Sequence, residues 1–154
     1  MRNKQKGFSL IELLIVVAII LIIAAIAIPN LLRSKMAANE ASAVGSMRTI
    51  NTACVGYSTT YGGYPAGLSN LGPLTPATST SADLIDSVLA SGTKSGYTFT
   101  YAGVAVAGVV QTYGLTATPV TVGTTGQRGF FTDQSGVIRS DPSGTATVAS
   151  SPIS

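Results

Sequence analysis

Residues 13–28 read LLIVVAIILIIAAIAI, sixteen positions without one polar side chain. Such a run constrains the chain more than any other feature, because it is stable only in hydrocarbon or against other apolar surfaces. From Phe8 to Ile28 the apolar stretch is 21 residues. As an α-helix it rises ~31 Å, which matches a bilayer core of ~30 Å. Yet it contains Glu12. A carboxylate inside such a span costs about 2.5–3.5 kcal/mol on insertion scales unless it is paired or lies at the interface, so Glu12 is a candidate functional residue.

The rest of the composition fits a chain that is anchored or assembles. It is 45% hydrophobic and 10% charged, against ~25% charged in ordinary soluble proteins. Its net charge of +3 comes from Arg2, Lys4 and Lys6. Beyond them Arg33, Lys35, Arg48, Lys94, Arg128 and Arg139 balance Glu12, Glu40, Asp83, Asp86, Asp133 and Asp141. No basic patch marks a nucleic-acid site. With no histidine and Cys54 as the lone cysteine, the usual zinc sites, Cys/His or Ser/His nucleophile pairs and an intrachain disulfide are all excluded. No glycine-rich phosphate loop follows a strand. Neither a cofactor nor an enzymatic activity is expected.

Three readings fit the N-terminal block. A secretory signal would end at the A-x-A-like Ala25–Ala27, but the apolar core exceeds the usual ~7–15 residues. A plain transmembrane anchor fits the length and leaves Glu12 unexplained. The third rests on the string KGFSLIELLIVVAIILIIAAIAIPNLL, which resembles the N-terminal signature of type IV prepilins and pseudopilins. The likeness lies in a short basic leader ending in Gly7, then Phe8, an acid at the fifth position after the junction, an aliphatic run and Pro29, and it covers roughly residues 1–35. The resemblance implies that residues 1–7 are a leader removed by a prepilin peptidase. The enzyme would cut between Gly7 and Phe8 on the cytoplasmic side and methylate the new amine of Phe8. It also implies an inner-membrane precursor with a cytoplasmic N-terminus, an inner-membrane assembly machinery as partner, and a homo-oligomeric helical filament outside the cell. The alternative within the resemblance is a pseudopilin of a type II secretion system. The lone Cys54 favours that alternative, since many major pilins close a C-terminal loop with a disulfide.

That processing would give Glu12 a use. Cleavage creates an α-amino group, with a reference pKa of ~8, at the head of an apolar helix. In a bundle of such helices, the amine of one subunit can meet the Glu12 of another. A buried ion pair contributes little net stability, but an unpartnered buried charge costs about 3–5 kcal/mol. The expected role of Glu12 is therefore subunit register. The leader's three cations against Arg33 and Lys35 at the far end of the span give a modest positive-inside bias of the same sense.

Beyond the span, Ala43, Met47, Ile50, Cys54, Tyr57 and Tyr61 recur at intervals of four and three, which predicts one apolar helix face. One helix is expected over 8–61, with 8–28 as the membrane or filament-core segment, bent or locally melted near Pro29, which lacks an N–H for the residue 25 carbonyl. Gly62, Gly63 and Pro65 end it. Residues 67–81 read as a loop and 82–92 as a short helix with Leu84, Ile85, Val88 and Leu89 inward. Alternation predicts strands over 97–101, 109–120, 128–133 and 136–140, with a turn at Asp133–Gly136. Acids around that turn resemble calcium-binding positions of some pseudopilins, but read first as solvated turn residues. The tail from Asp141 is expected to be flexible or to lie along the surface. The expected fold is α+β: a long N-terminal helix whose second half packs on an antiparallel sheet of three to four strands within residues 62–154.

Overall fold

The computed structural model of the protein describes residues 7–153; Arg2, Lys4 and Lys6 of the expected leader lie outside the described residues. The first element is a single helix, α1, Leu10–Tyr61. It starts two residues later than the apolar pattern suggests, and it is helical throughout residues 25–33, so Pro29 causes no local melting. A proline removes only one backbone hydrogen bond, and the neighbouring turns of a long aliphatic helix hold the rest. At the other end Gly62 adopts φ +78° and donates its N–H to the Ser58 carbonyl at 3.0 Å. This is the left-handed stop that glycine permits.

By internal contacts the chain divides into two units, one ending at Ser34 and one beginning at Lys35. In the first, the apolar side chains from Leu10 to Ile28 are uncovered, with Leu13 and Ile15 more than half exposed. Lys35–Ser154 has a core of its own. Ala43, Met47, Ile50 and Cys54 are fully buried and Tyr57 nearly so, as the spacing predicts; Tyr61, the last of that series, is exposed because the helix ends there.

Opposite this stripe lies a six-stranded antiparallel sheet in chain order: β1 Thr93–Lys94, β2 Tyr97–Val106, β3 Val109–Pro119, β4 Gly129–Asp133, β5 Arg139–Asp141 and β6 Ser151–Pro152. The expected three or four strands are the middle of it. The two-residue edge strands are too short for any alternation to reveal. The C-terminal tail is not loose: β6 pairs with β5, and Ala146 is buried. Tyr97, Phe99 and Tyr101 share the inner face as their period predicts, where the Tyr101 ring stacks on Tyr113 at 5.3 Å. At Asp133–Gly136 the turn forms as expected, with Gly136 N donating to the Asp133 carbonyl at 2.9 Å.

The predicted helix over 82–92 shrinks to α2, Ser87–Ala90. Asp86 takes the N-cap and accepts from Leu89 N at 2.9 Å. Ile85 and Leu89 are buried, but Leu84 and Val88 face solvent, because a one-turn helix has too little inward face for four apolar positions. The 67–81 segment is mostly loop with one 3-10 turn, Leu68–Leu71.

Polar side chains fix how α1 meets the sheet. Glu40, one step before Ala43 on the buried stripe, is 8% exposed. Its Oε1 accepts from Gln127 N and Arg128 N at 2.9 and 3.0 Å, and its Oε2 from Arg128 Nε at 2.8 Å. Burial raises its pKa, but the backbone N–H groups of Arg128 and Gln127 and the Arg128 guanidinium outweigh that, and the net shift is downward. Asn51 donates to Thr132 Oγ1 and accepts from the Tyr113 hydroxyl, both at 3.0 Å. The β3–β4 connection also needs a bare glycine at 126, since a Cβ there would collide with the Tyr97 phenol.

Replacing Glu40 by Ala removes the acceptor of three part-buried hydrogen bonds from Gln127 and Arg128 and should cost about 1–3 kcal/mol in denaturant unfolding of the detergent-solubilised chain. Because the folded pKa lies below the unfolded one, the carboxylate's contribution is complete above the ordinary value and fades as pH falls through the folded pKa. Acid sensitivity below about pH 4.5 should therefore be shallower in Glu40→Ala than in the parent chain.

Candidate processing and assembly site

The residues singled out from the sequence gather at the start of α1. Gly7, Phe8 and Ser9 are exposed and non-helical, immediately ahead of Leu10. Ser9 is the N-cap: its carbonyl accepts the i+4 bond from Leu13 N at 3.3 Å, and its Oγ lies 3.4 Å from Ile11 N as acceptor. Glu12 returns the interaction, with Oε2 accepting from Ser9 N at 2.8 Å. This pair, S-x-x-E, is a variant of the capping box in which the Ser9 hydroxyl faces the Ile11 amide rather than that of Glu12. It gives Glu12 a role within its own chain that the sequence reading did not assign, although the spacing of Ser9 and Glu12 is visible in the sequence.

Glu12 uses one oxygen in that bond, and among the described residues its other oxygen has no partner. A carboxylate has about four acceptor sites, so most of its capacity is open. Pro29 lies in the same uncovered helical segment, and no contact within its own chain distinguishes it.

The second unit offers no comparable chemistry. Among the described residues no group of three or more His, Cys, Asp or Glu side chains gathers to hold a metal ion. Asp133 and Asp141 instead accept backbone N–H groups of their own turns, from Ser135 and Ser143 at 2.9 and 2.8 Å. Cys54 is buried, and burial pushes its thiol up to about 11 against a smaller opposing effect of the Tyr101 and Tyr113 hydroxyls beside it.

The family described as the prokaryotic N-terminal methylation motif matches residues 2–28, the stretch that holds Gly7, Phe8, Ser9 and Glu12. Residues 2–28 carry that motif, and part of the chain is similar to type IV pilins. Among curated proteins, the type IV major fimbrial protein FimA of Dichelobacter nodosus is 52% identical over 58 residues, 36% of this chain and 37% of that protein. The type IV wide pilus major component PilA4 of Thermus thermophilus is 65% identical over 40 residues, 26% of this chain and 30% of its own length. The type II secretion system core protein G of Dickeya chrysanthemi is 30% identical over 74 residues, 48% of each chain. The chain thus spans about a third of the length of the pilins it matches and about half of protein G. No solved structure matches it.

Since only the thiolate reacts, a thiol at about 11 should be inert in the folded chain. Iodoacetamide at pH 8 should leave Cys54 unmodified in the detergent-solubilised protein and alkylate it stoichiometrically after denaturation, as read by intact mass.

Proposed function

We propose that this chain is a structural subunit, a pilin that is cut between Gly7 and Phe8 by a prepilin peptidase, methylated on the Phe8 amine, and polymerised from the inner membrane into an extracellular helical filament. The observation that carries the proposal is the uncovered apolar helix from Leu10 to Ile28 headed by Glu12. It adjoins a unit, Lys35–Ser154, that completes its own core without it. Before assembly, hydrocarbon can cover that helix. Outside the membrane other copies must do so, and bundling the apolar helices satisfies them all.

In this reading cleavage supplies an amine at Phe8, and Glu12 of a neighbouring subunit supplies its counter-charge. A subunit docked at the wrong height leaves both unpaired at about 3–5 kcal/mol, which selects one register. Pro29, which frees the Ala25 carbonyl, is where the helix yields if packing demands a bend. The assembly machinery would engage the precursor in the membrane.

A pseudopilin of a type II secretion assembly is the second reading. The match to protein G favours it, since it extends further along the chain than the pilin matches do. So does Cys54, which has no partner for an intrachain disulfide. Abundant long fibres of this chain sheared from the native cells would decide for the pilin, and their absence beside secretion that depends on the chain would decide for the pseudopilin.

Glu12→Gln is the decisive variant. A glutamine carbonyl still accepts from Ser9 N, so the capping box survives while the charge is lost. Filament yield should fall at least tenfold, with membrane insertion and leader cleavage unchanged by N-terminal mass analysis. A methylated Phe8 start in the parent chain is the expected mature terminus; an Ile28 start would mean secretion, and an intact Met1 a simple anchor.

A further inference from the structure

We infer that Ser9 is a positioning residue for leader removal, holding the Gly7–Phe8 peptide outside the helix so that the Gly7 carbonyl is free to be attacked. The inference rests on the processing proposed above and concerns a residue that processing alone does not assign. Hydrolysis there adds water to the Gly7 carbonyl carbon, breaks its bond to Phe8 N, and leaves a carboxylate on Gly7 and an amine on Phe8. A peptidase must reach and polarise that carbonyl, which a carbonyl already accepting an intrahelical bond resists.

An α-helix pairs each N–H with the carbonyl four residues before it. If α1 ran two residues further back, Ile11 N would donate to Gly7 O and Glu12 N to Phe8 O. In the structure the Ser9 hydroxyl takes the place of Gly7 O as the acceptor facing Ile11 N, at 3.4 Å. The Ser9 amide is held by Glu12 Oε2 at 2.8 Å, which fixes Ser9 at the helix boundary. Among the described residues nothing bonds to Gly7 O or Phe8 N, and the space beside Gly7 is open to 4 Å. The proposed cleavage junction comes from the resemblance and the helix boundary from the backbone hydrogen bonds, and the two fall within two residues of each other.

Loss of the cap would favour growth over fraying. Next to hydrocarbon an orphan N–H is costly, and a preceding carbonyl satisfies it at once. Alanine, the best helix former, adds to that bias.

The test uses the full-length precursor in membranes with its prepilin peptidase, reading cleavage by N-terminal mass over time. Ser9→Ala should slow cleavage about fivefold, the order of change expected on losing one N-cap. Ser9→Thr and Ser9→Asp, which keep a capping oxygen, should cleave at the parental rate. Glu12→Ala should be slowed and Glu12→Gln should not. In micelles, the backbone carbon shifts of Gly7 and Phe8 should become helical in Ser9→Ala and Glu12→Ala and stay extended in Ser9→Thr, Ser9→Asp and Glu12→Gln. Parental cleavage of Ser9→Ala, or Gly7 and Phe8 shifts that stay extended in it, would overturn the role of Ser9 while leaving the pilin reading intact. A parent chain left uncut at Gly7–Phe8 would overturn both.

Discussion

Everything in this protein is arranged around a helix its own chain does not cover. Burying a Leu, Ile or Val side chain contributes roughly 1.5–3 kcal/mol each, and the aliphatic side chains between Leu10 and Ile28 are all left out of the folded unit. Water is no resting place for them. A membrane or another apolar surface has to cover them, and the second unit completes its core without the first. That is why α1 changes character after Pro29. From Glu40 onward it is amphipathic and packs on its own sheet.

An amphipathic helix laid on a sheet can slide, because apolar contact is non-directional. The polar contacts remove that freedom. Asn39 donates to the Thr125 carbonyl at 2.7 Å, Glu40 gathers three donors at residues 127 and 128, and Asn51 joins Thr132 and Tyr113. Each bond demands one axial position and one rotation of the helix. The last is anchored by a fully buried Thr132, where an unmet hydroxyl would be costly. Apolar burial thus supplies the driving force and these few bonds the register.

What could be read in the sequence followed from periodicity and from residues with stiff local demands. The buried stripe from Ala43 to Tyr57, the stop at Gly62, the aromatic face of β2 and the turn at Asp133–Gly136 all carried such signals. The errors had physical causes too. Tyr61 continues the stripe on paper, but it is the last residue of α1 and lies exposed where the helix ends. The apolar residues of 82–92 looked helical, yet the Asp86 cap begins the helix too late for Leu84, and four residues cannot turn Val88 inward. Strands of two residues have no period, so β1 and β6 were invisible and the tail looked loose. The Glu40 clamp was the more instructive omission, since an acid one step before an apolar stripe implies a buried partner. That partner lies 88 residues away and follows from no local rule. At the N-terminus the cap was legible as S-x-x-E, but the pull of a family motif toward Glu12's charge hid its hydrogen bond.

The two glutamates of α1 show how the same side chain is put to opposite uses by its surroundings. Glu40 has both oxygens occupied by its own chain, and its pKa is held down. It is closed to any outside partner, and what it provides is a fixed helix position. Glu12 gives one oxygen to the Ser9 amide and keeps the other open at the start of an uncovered helix. A carboxylate left half-satisfied beside hydrocarbon is destabilising for an isolated chain, and only a donor from elsewhere relieves it. An uncut chain would offer only a neutral amide N–H at Phe8, a donor without the positive charge that an acid calls for. In the proposed processing, hydrolysis of the Gly7–Phe8 bond would turn that amide into an ammonium, so the step that removes the basic leader would also create the counter-charge. On that proposal assembly would be coupled to processing by electrostatics: an uncut subunit would bring an acid without the matching charged amine, and a cut one would bring both.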